Sequence, residues 1–201
     1  MKFSIVLLIS FIFACNKRSE IPEKSPVVIP NLEVLVSDST LSLQQDILFF
    51  RGKSFSGFVI EKHQNGRILA KNAYFKGKLE GKQEKFYPDG SKMEVRFYVE
   101  NRKNGEHNGW WENGQMKFEY FIKNDIPIET HREWYPSGQL YSLATFNAEG
   151  QPEGKQQMWF STGQIKSNYV IVKGRRFGFL GAKGCMGENE KKTSALKFGK
   201  K

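Results

Sequence analysis

Five glycines punctuate the chain at a nearly constant interval: Gly66, Gly90, Gly114, Gly138 and Gly163. The first four stand 24 residues apart and the last step is 25. Each follows a short polar residue, giving Asn65-Gly66, Asp89-Gly90, Asn113-Gly114, Ser137-Gly138 and Thr162-Gly163. A fixed period of this length marks a repeat array, in which each unit is one supersecondary element stacked on the next.

The segment Gly81 to Asn104 shows what one unit is. From Ser91 to Val99 the residues alternate, with Met93, Val95, Phe97 and Val99 on one side and Lys92, Glu94, Arg96 and Tyr98 on the other. A period of two with β-branched and aromatic residues predicts a strand. Pro88 suits the first corner of a type I turn, and Gly90 suits the left-handed residue that completes a three-residue hairpin loop. Pro136-Ser137-Gly138 repeats that chemistry, while Glu112-Asn113-Gly114 fits either this turn or a two-residue type I′ turn. Each repeat is thus read as a β-hairpin.

Counting from the turn glycine exposes the columns. Position −4 holds Phe86, Trp110, Trp134 and Trp159, and position −3 holds Tyr87, Trp111, Tyr135 and Phe160. Position +2 holds Ile68, Met116, Leu140 and Ile165, with Lys92 the exception. In a three-residue loop the −4 ring faces the +2 residue across the hairpin, a pair contributing about 0.2–1 kcal/mol. The −4 column is therefore read as structural. The −3 residues point to the opposite face and form the candidate binding surface, because exposed Trp and Tyr on a rigid sheet can anchor a partner.

Gly- and Lys-rich reversals join the hairpins at residues 76–81, 101–105, 150–154 and 173–178. Glu129 stands where Gly81, Gly105 and Gly154 stand, and Pro127 is beside it, so the link at 125–130 is expected to be irregular. Residues 50–57 read as the closing half of an earlier repeat, and 32–36 and 41–43 as capping strands. The fold class is all-β, an elongated antiparallel meander of about five stacked hairpins in a single domain at 32–187.

The pattern Gly-Lys-x-x-x-Phe-Tyr-Pro-Asp-Gly at 81–90, with near-copies over roughly residues 50–180, resembles the MORN-repeat variant of bacterial YwqK-type, antitoxin-like proteins. Lys62-His63 departs from the aromatic pair of the other copies. The resemblance implies an elongated sheet with a binding or scaffolding role.

The ends bear on location. Phe3 to Phe13 is apolar except for Ser4 and Ser10 and follows Lys2. It is too short for a bilayer core of about 30 Å and reads as a secretory signal peptide over residues 1–14. Ile12-Phe13-Ala14-Cys15 resembles a bacterial lipobox, which makes Cys15 the lipidation site and the new N-terminus. Residues 15–31, with Pro22, Pro26 and Pro30, read as a flexible tether, and 188–201 as a basic disordered tail. Asn16 after the cysteine points toward the outer rather than the inner membrane. Cys185 would then be unpaired in the mature chain, and the fold cannot rest on an internal disulfide.

The net charge of +10 favours anionic surfaces, yet the basic residues are spread over every repeat and read chiefly as solubilising; export argues against nucleic acid. His107 and His131 share one repeat position with Gln83 and Gln156, a column read as a polar exposed face. Two histidines two strand spacings apart are too far to share a metal bound at about 2.1 Å. No nucleophile, zinc or phosphate-loop motif is present, so no catalytic residue, metal or cofactor is expected. The reading is a monomeric, non-enzymatic envelope lipoprotein, held to the membrane by its lipid, whose sheet binds a protein or surface polymer. An antitoxin or immunity protein and a module binding anionic membrane are the alternatives.

Overall fold

The computed structural model describes residues 27–181. The expected signal peptide, Cys15, most of the tether, Cys185 and the basic tail lie outside the described residues.

Among the described residues the chain is all-β, without a helix. Thirteen strands build one sheet, and a three-stranded sheet sits at its N-terminal end. Five hairpins form the large sheet: β5 (Gly57–Lys62) with β6 (Ile68–Phe75), β7 (Lys78–Phe86) with β8 (Lys92–Val99), β10 (Gly105–Trp110) with β11 (Met116–Lys123), β12 (Ile126–Trp134) with β13 (Leu140–Phe146), and β14 (Pro152–Trp159) with β15 (Ile165–Val172). Successive hairpins pair edge to edge and antiparallel, with β9 (Arg102–Lys103) also on β8 and β16 (Arg175–Phe179) following β15.

The turn glycines work as their chemistry requires. Each hairpin tip is closed by two backbone bonds, as in Tyr87 N–H to Ser91 O at 2.9 Å and Gly90 N–H to Tyr87 O at 2.8 Å. Trp111 N–H to Gln115 O at 2.8 Å settles the third tip as the same three-residue loop. All five glycines have φ between +80° and +91°, the left-handed region open to a residue without Cβ. The register pairs Trp110 with Met116, Trp134 with Leu140 and Trp159 with Ile165, so the −4 rings do face the +2 residues.

The reversals between hairpins are two-residue turns with both residues at positive φ: Lys76-Gly77, Glu100-Asn101, Asn124-Asp125 and Lys173-Gly174. That signature is type I′, whose twist matches the flanking strands. One link differs. Asn147 N–H bonds Gln151 O at 2.9 Å across a three-residue loop ending at Gly150, and this added residue is why the last glycine step is 25. The link at 125–130 matches the other links instead of standing apart as expected: register is lost around Glu129 as it is around Gly81 and Gly154. Lys123 pairs with Ile126 and Ile122 with Pro127, and Glu129 adopts φ +60°, close to the glycines of its column.

The N-terminal end departs from the meander. β1 (Glu33–Leu35) pairs with β5 in parallel. β2 (Leu41–Gln44), β3 (Ile47–Phe50) and β4 (Lys53–Ser54) make the separate small sheet, so residues 50–57 are not half of an earlier repeat in the main sheet. This small sheet brings Phe55, Leu41, Leu48 and Phe50 onto Val34, Val59 and Tyr74. Phe55 is 1% exposed and edges against Phe50 at 5.8 Å between ring centres. Registers carried strand to strand place Val34, Val59 and Tyr74 on the face that also bears Gln83, His107, Phe118 and Gln156. We call it the capped face. Beyond residue 80 every buried side chain of the described strands belongs to it.

Candidate functional site

Two columns of side chains stitch the array together, and they set what remains for a partner. The first is the −3 column. Tyr87 Oη donates to Trp110 O at 2.8 Å, Trp111 Nε1 to Trp134 O at 3.0 Å, and Tyr135 Oη to Trp159 O at 3.1 Å. Each ring thus reaches the backbone of the −4 residue in the next repeat. His63 does the same, its Nε2 lying 2.9 Å from Phe86 O. A carbonyl only accepts, so that nitrogen carries the proton. The His63 departure in the first copy is therefore a functional equivalent: the column demands a flat ring with a donor on its rim, which Tyr, Trp and His share. Phe160 has no such donor, and it is 46% exposed at the last repeat. At position −1, Asn65 and Asn113 add parallel bonds to Pro88 O and Pro136 O at 2.8 and 2.7 Å.

The second is the −7 column of Gln83, His107, His131 and Gln156, expected to be exposed. It is instead buried or half-buried, with His107 at 0% exposure. Gln83 Nε2 donates to Ala73 O at 3.0 Å, His107 Nε2 to Phe97 O at 3.0 Å, His131 Nε2 to Phe121 O at 2.8 Å and Gln156 Nε2 to Thr145 O at 2.8 Å. The accepting carbonyls lie beside the places where adjacent hairpins lose register, for example between Asn72 and Tyr74 or Ala144 and Phe146. A buried carbonyl there needs a donor, and Gln or His supplies it. This explains why two unlike residues share one column. Burial pushes the His107 imidazole below its usual range, with Arg96 and Lys103 adding to that and the Phe97 bond and Glu94 opposing it.

Between these columns, on the capped face but past the cap, lies a cleft of about 360 Å³ over the third and fourth hairpins. Trp111, Phe118, Tyr120, Tyr135 and Tyr141 line it, with Lys117 and Glu133 at its edge. Phe118 and Tyr120 stack at 4.7 Å and 18°, and the row continues through His131 to Phe146 at 4.9 and 4.7 Å. Tyr135 meets Tyr141 edge-on at 5.2 Å. The Tyr120 hydroxyl donates to Glu133, and burial with that carboxylate pushes its ionisation far up. Lys117 Nζ lies 4.5 Å over the Trp111 ring. Of the candidate binding residues, the structure thus brings Trp111 and Tyr135 into one cleft; Tyr87 and Phe160 lie in the flanking repeats. Of the −4 residues, Phe86, Trp110, Trp134 and Trp159 are all half-buried.

Sequence reading missed Phe118, Tyr120 and Tyr141. Tyr141, at +3, replaces Lys117 of the repeat before it, and Phe118 and Tyr120, at +4 and +6, replace Glu94 and Arg96 of the repeat before theirs; a ring recurs in these columns only at Tyr169, so no column signalled them. In that earlier repeat the same face is charged: Glu94 Oε1 lies 2.6 Å from Arg96 Nε and 3.8 Å from Lys85 Nζ.

Two stretches of the chain match the MORN repeat variant. They are residues 79–100 and 130–148, which fall on the β7–β8 and β12–β13 hairpins. The hairpin between them has the same turn, columns and bonds, so the fold repeats the unit beyond the matched residues. No curated protein matches the chain. A solved structure titled "Crystal Structure of TarM" is similar at 12% identity and a TM-score of 0.30, over 50% of this chain; the chain spans 20% of that one.

Proposed function

We propose that this chain is a non-enzymatic lipoprotein of the cell envelope that uses its repeat sheet as a binding scaffold for an envelope protein or surface polymer. The observation that carries the binding role is the capped face itself. It is closed by the small sheet at one end, where Phe55 is buried, and open over the third and fourth hairpins, where rings line the cleft. The matched repeats support the same role, since stacked hairpins give a long, rigid surface. The side chains of the −3 and −7 columns are committed to backbone carbonyls, which makes them structural supports of that surface rather than reactive groups. The envelope location rests on the sequence ending in Cys15.

Crosslinking in intact membranes followed by purification tests the scaffold reading. Recovery of a stoichiometric envelope protein or polymer supports it; recovery of a co-encoded toxin favours an antitoxin role and overturns it. Cys15→Ser tests the anchor: the protein is expected to leave the membrane, and continued attachment with an intact N-terminus would refute lipidation.

A further inference from the structure

We propose that the cleft formed by Trp111, Phe118, Tyr120, Tyr135 and Tyr141 is a subsite for a pyranose unit of a glycan; this deepens the scaffold reading and rests on it. A ligand lying on one face of a single sheet meets rings from one side only. A partner held there needs one apolar face to lie on the rings and a polar rim to reach the flanking groups, and a sugar ring has that form. The volume of about 360 Å³ is at the small end for ligand sites.

The rings are fixed before any ligand arrives. Trp111 Nε1 and Tyr135 Oη are tied to backbone carbonyls of the next repeat, and Tyr120 is tied to Glu133. Ordering costs are thereby met by the fold, which favours binding by weak stacking contacts. With their polar tips engaged, Trp111 and Tyr135 offer mainly ring surface. The rim groups complete the match: Glu133 supplies carboxylate oxygens to accept from hydroxyls, Lys117 supplies an ammonium to donate, and the Tyr141 hydroxyl makes no hydrogen bond among the described residues.

Two other ligand chemistries fit less well. An alkylammonium group would meet a protein of charge +10 whose own cations already lie on two of the rings, Lys117 on Trp111 and Arg96 at 5.6 Å from Phe118. A phosphate backbone would bring its charge against Glu133. For a sugar, by contrast, Lys117 is exposed and can swing from the ring to a hydroxyl.

The test titrates the full chain, in detergent, with cellotetraose, chitotetraose, maltotetraose and xylotetraose, following tryptophan fluorescence and heat. At least one is expected to bind saturably with Kd below about 1 mM, and Tyr141→Ala and Lys117→Met are each expected to weaken it by about fivefold or more. Lys117 lies at the edge and Tyr141 in the lining, and unchanged melting temperatures of both variants show that the fold is intact. Binding by none of the four overturns the proposal, as does binding indifferent to both variants. Tetramethylammonium binding that strengthens in Lys117→Met also overturns it, assigning the cleft to cations. Failure here with a protein captured in the crosslinking experiment removes the glycan site and leaves the scaffold reading standing.

Discussion

The two ends of the sheet are built from the same strand chemistry and reach different states. At the N-terminal end the small sheet folds over β5 and β6, and Val34, Phe55 and Val59 fall to 6% exposure or less. At the far end β15 and β16 carry Ile165, Val170, Val172, Phe177 and Phe179 at 37–56% exposure, and the registers put all five on the face opposite the cap, whereas Ile171 on the capped face is 7% exposed. Nothing in the second group is less apolar than the first. The difference is one of face as well as of end: a sheet buries a face only against something, and the small sheet packs on the face that bears Val34 and Val59, not on the one that bears Val170 and Phe177. Between the two lie the cleft and the stitched columns, where polar bonds do the work that a core does elsewhere.

The contrast can be broken most directly in the cover. Phe55→Ala is expected to cost about 3–5 kcal/mol, whereas Phe177→Ala should stay within about 0.5 kcal/mol; equal effects in urea denaturation would erase the distinction. Next come two glycines with the same positive φ. A Cβ on Gly77 would meet Ile47 Cγ2 at 2.4 Å and Leu48 O at 2.8 Å, while one on Gly114 meets nothing within 4 Å. Gly77→Ala should therefore lose about 2–3 kcal/mol and Gly114→Ala only about 1, the backbone cost alone. Thermal melts of the pair separate strain from crowding.

The stitched middle is tested through His107. Its pKa is lowered in the folded state, so below the usual value of 6.5 the unfolded chain binds the proton first. Stability contributed by the neutral ring is complete above that pH and is lost as pH falls through the window down to the folded value. His107→Gln should keep the bond to Phe97 O, as Gln83 and Gln156 do for their carbonyls, and flatten the decline below about pH 6.5. An unchanged pH profile would show that His107 is not the group responsible. His107→Ala should cost about 1–3 kcal/mol at neutral pH. The smallest effects sit along the −3 column. Tyr135→Phe removes the bond to Trp159 O and should cost about 0.5–1.5 kcal/mol, while Phe160→Tyr, which has no following repeat among the described residues to receive its hydroxyl, should change little. A gain from Phe160→Tyr would reveal an acceptor beyond the described strands.

Much of the fold was legible because turns are local. Gly90 and Asp89-type dipeptides fix their loop from neighbouring residues, and the side-chain period of two fixes which rings share a hairpin. Glu129 misled because absence of glycine was read as irregularity, yet a single non-glycine residue can hold a positive φ when the strands on either side determine it. The −7 column misled for another reason. Gln and His look like surface residues, and only the loss of register between adjacent hairpins creates the buried carbonyls that they satisfy. The cleft was half legible: Trp111 and Tyr135 stand in a recurring column, but Phe118 and Tyr141 have no counterpart ring in the other repeats, and Tyr120 has one only in Tyr169.

By itself, then, the order of residues settled the hairpins, their tips and their stacking, since these depend on contacts between near neighbours in the chain. Which face is closed, where it opens and which rings meet there was decided only in three dimensions. Those outcomes depend on a cap folding back over β5 and β6 and on pairings between strands from different repeats, and no local pattern encodes either.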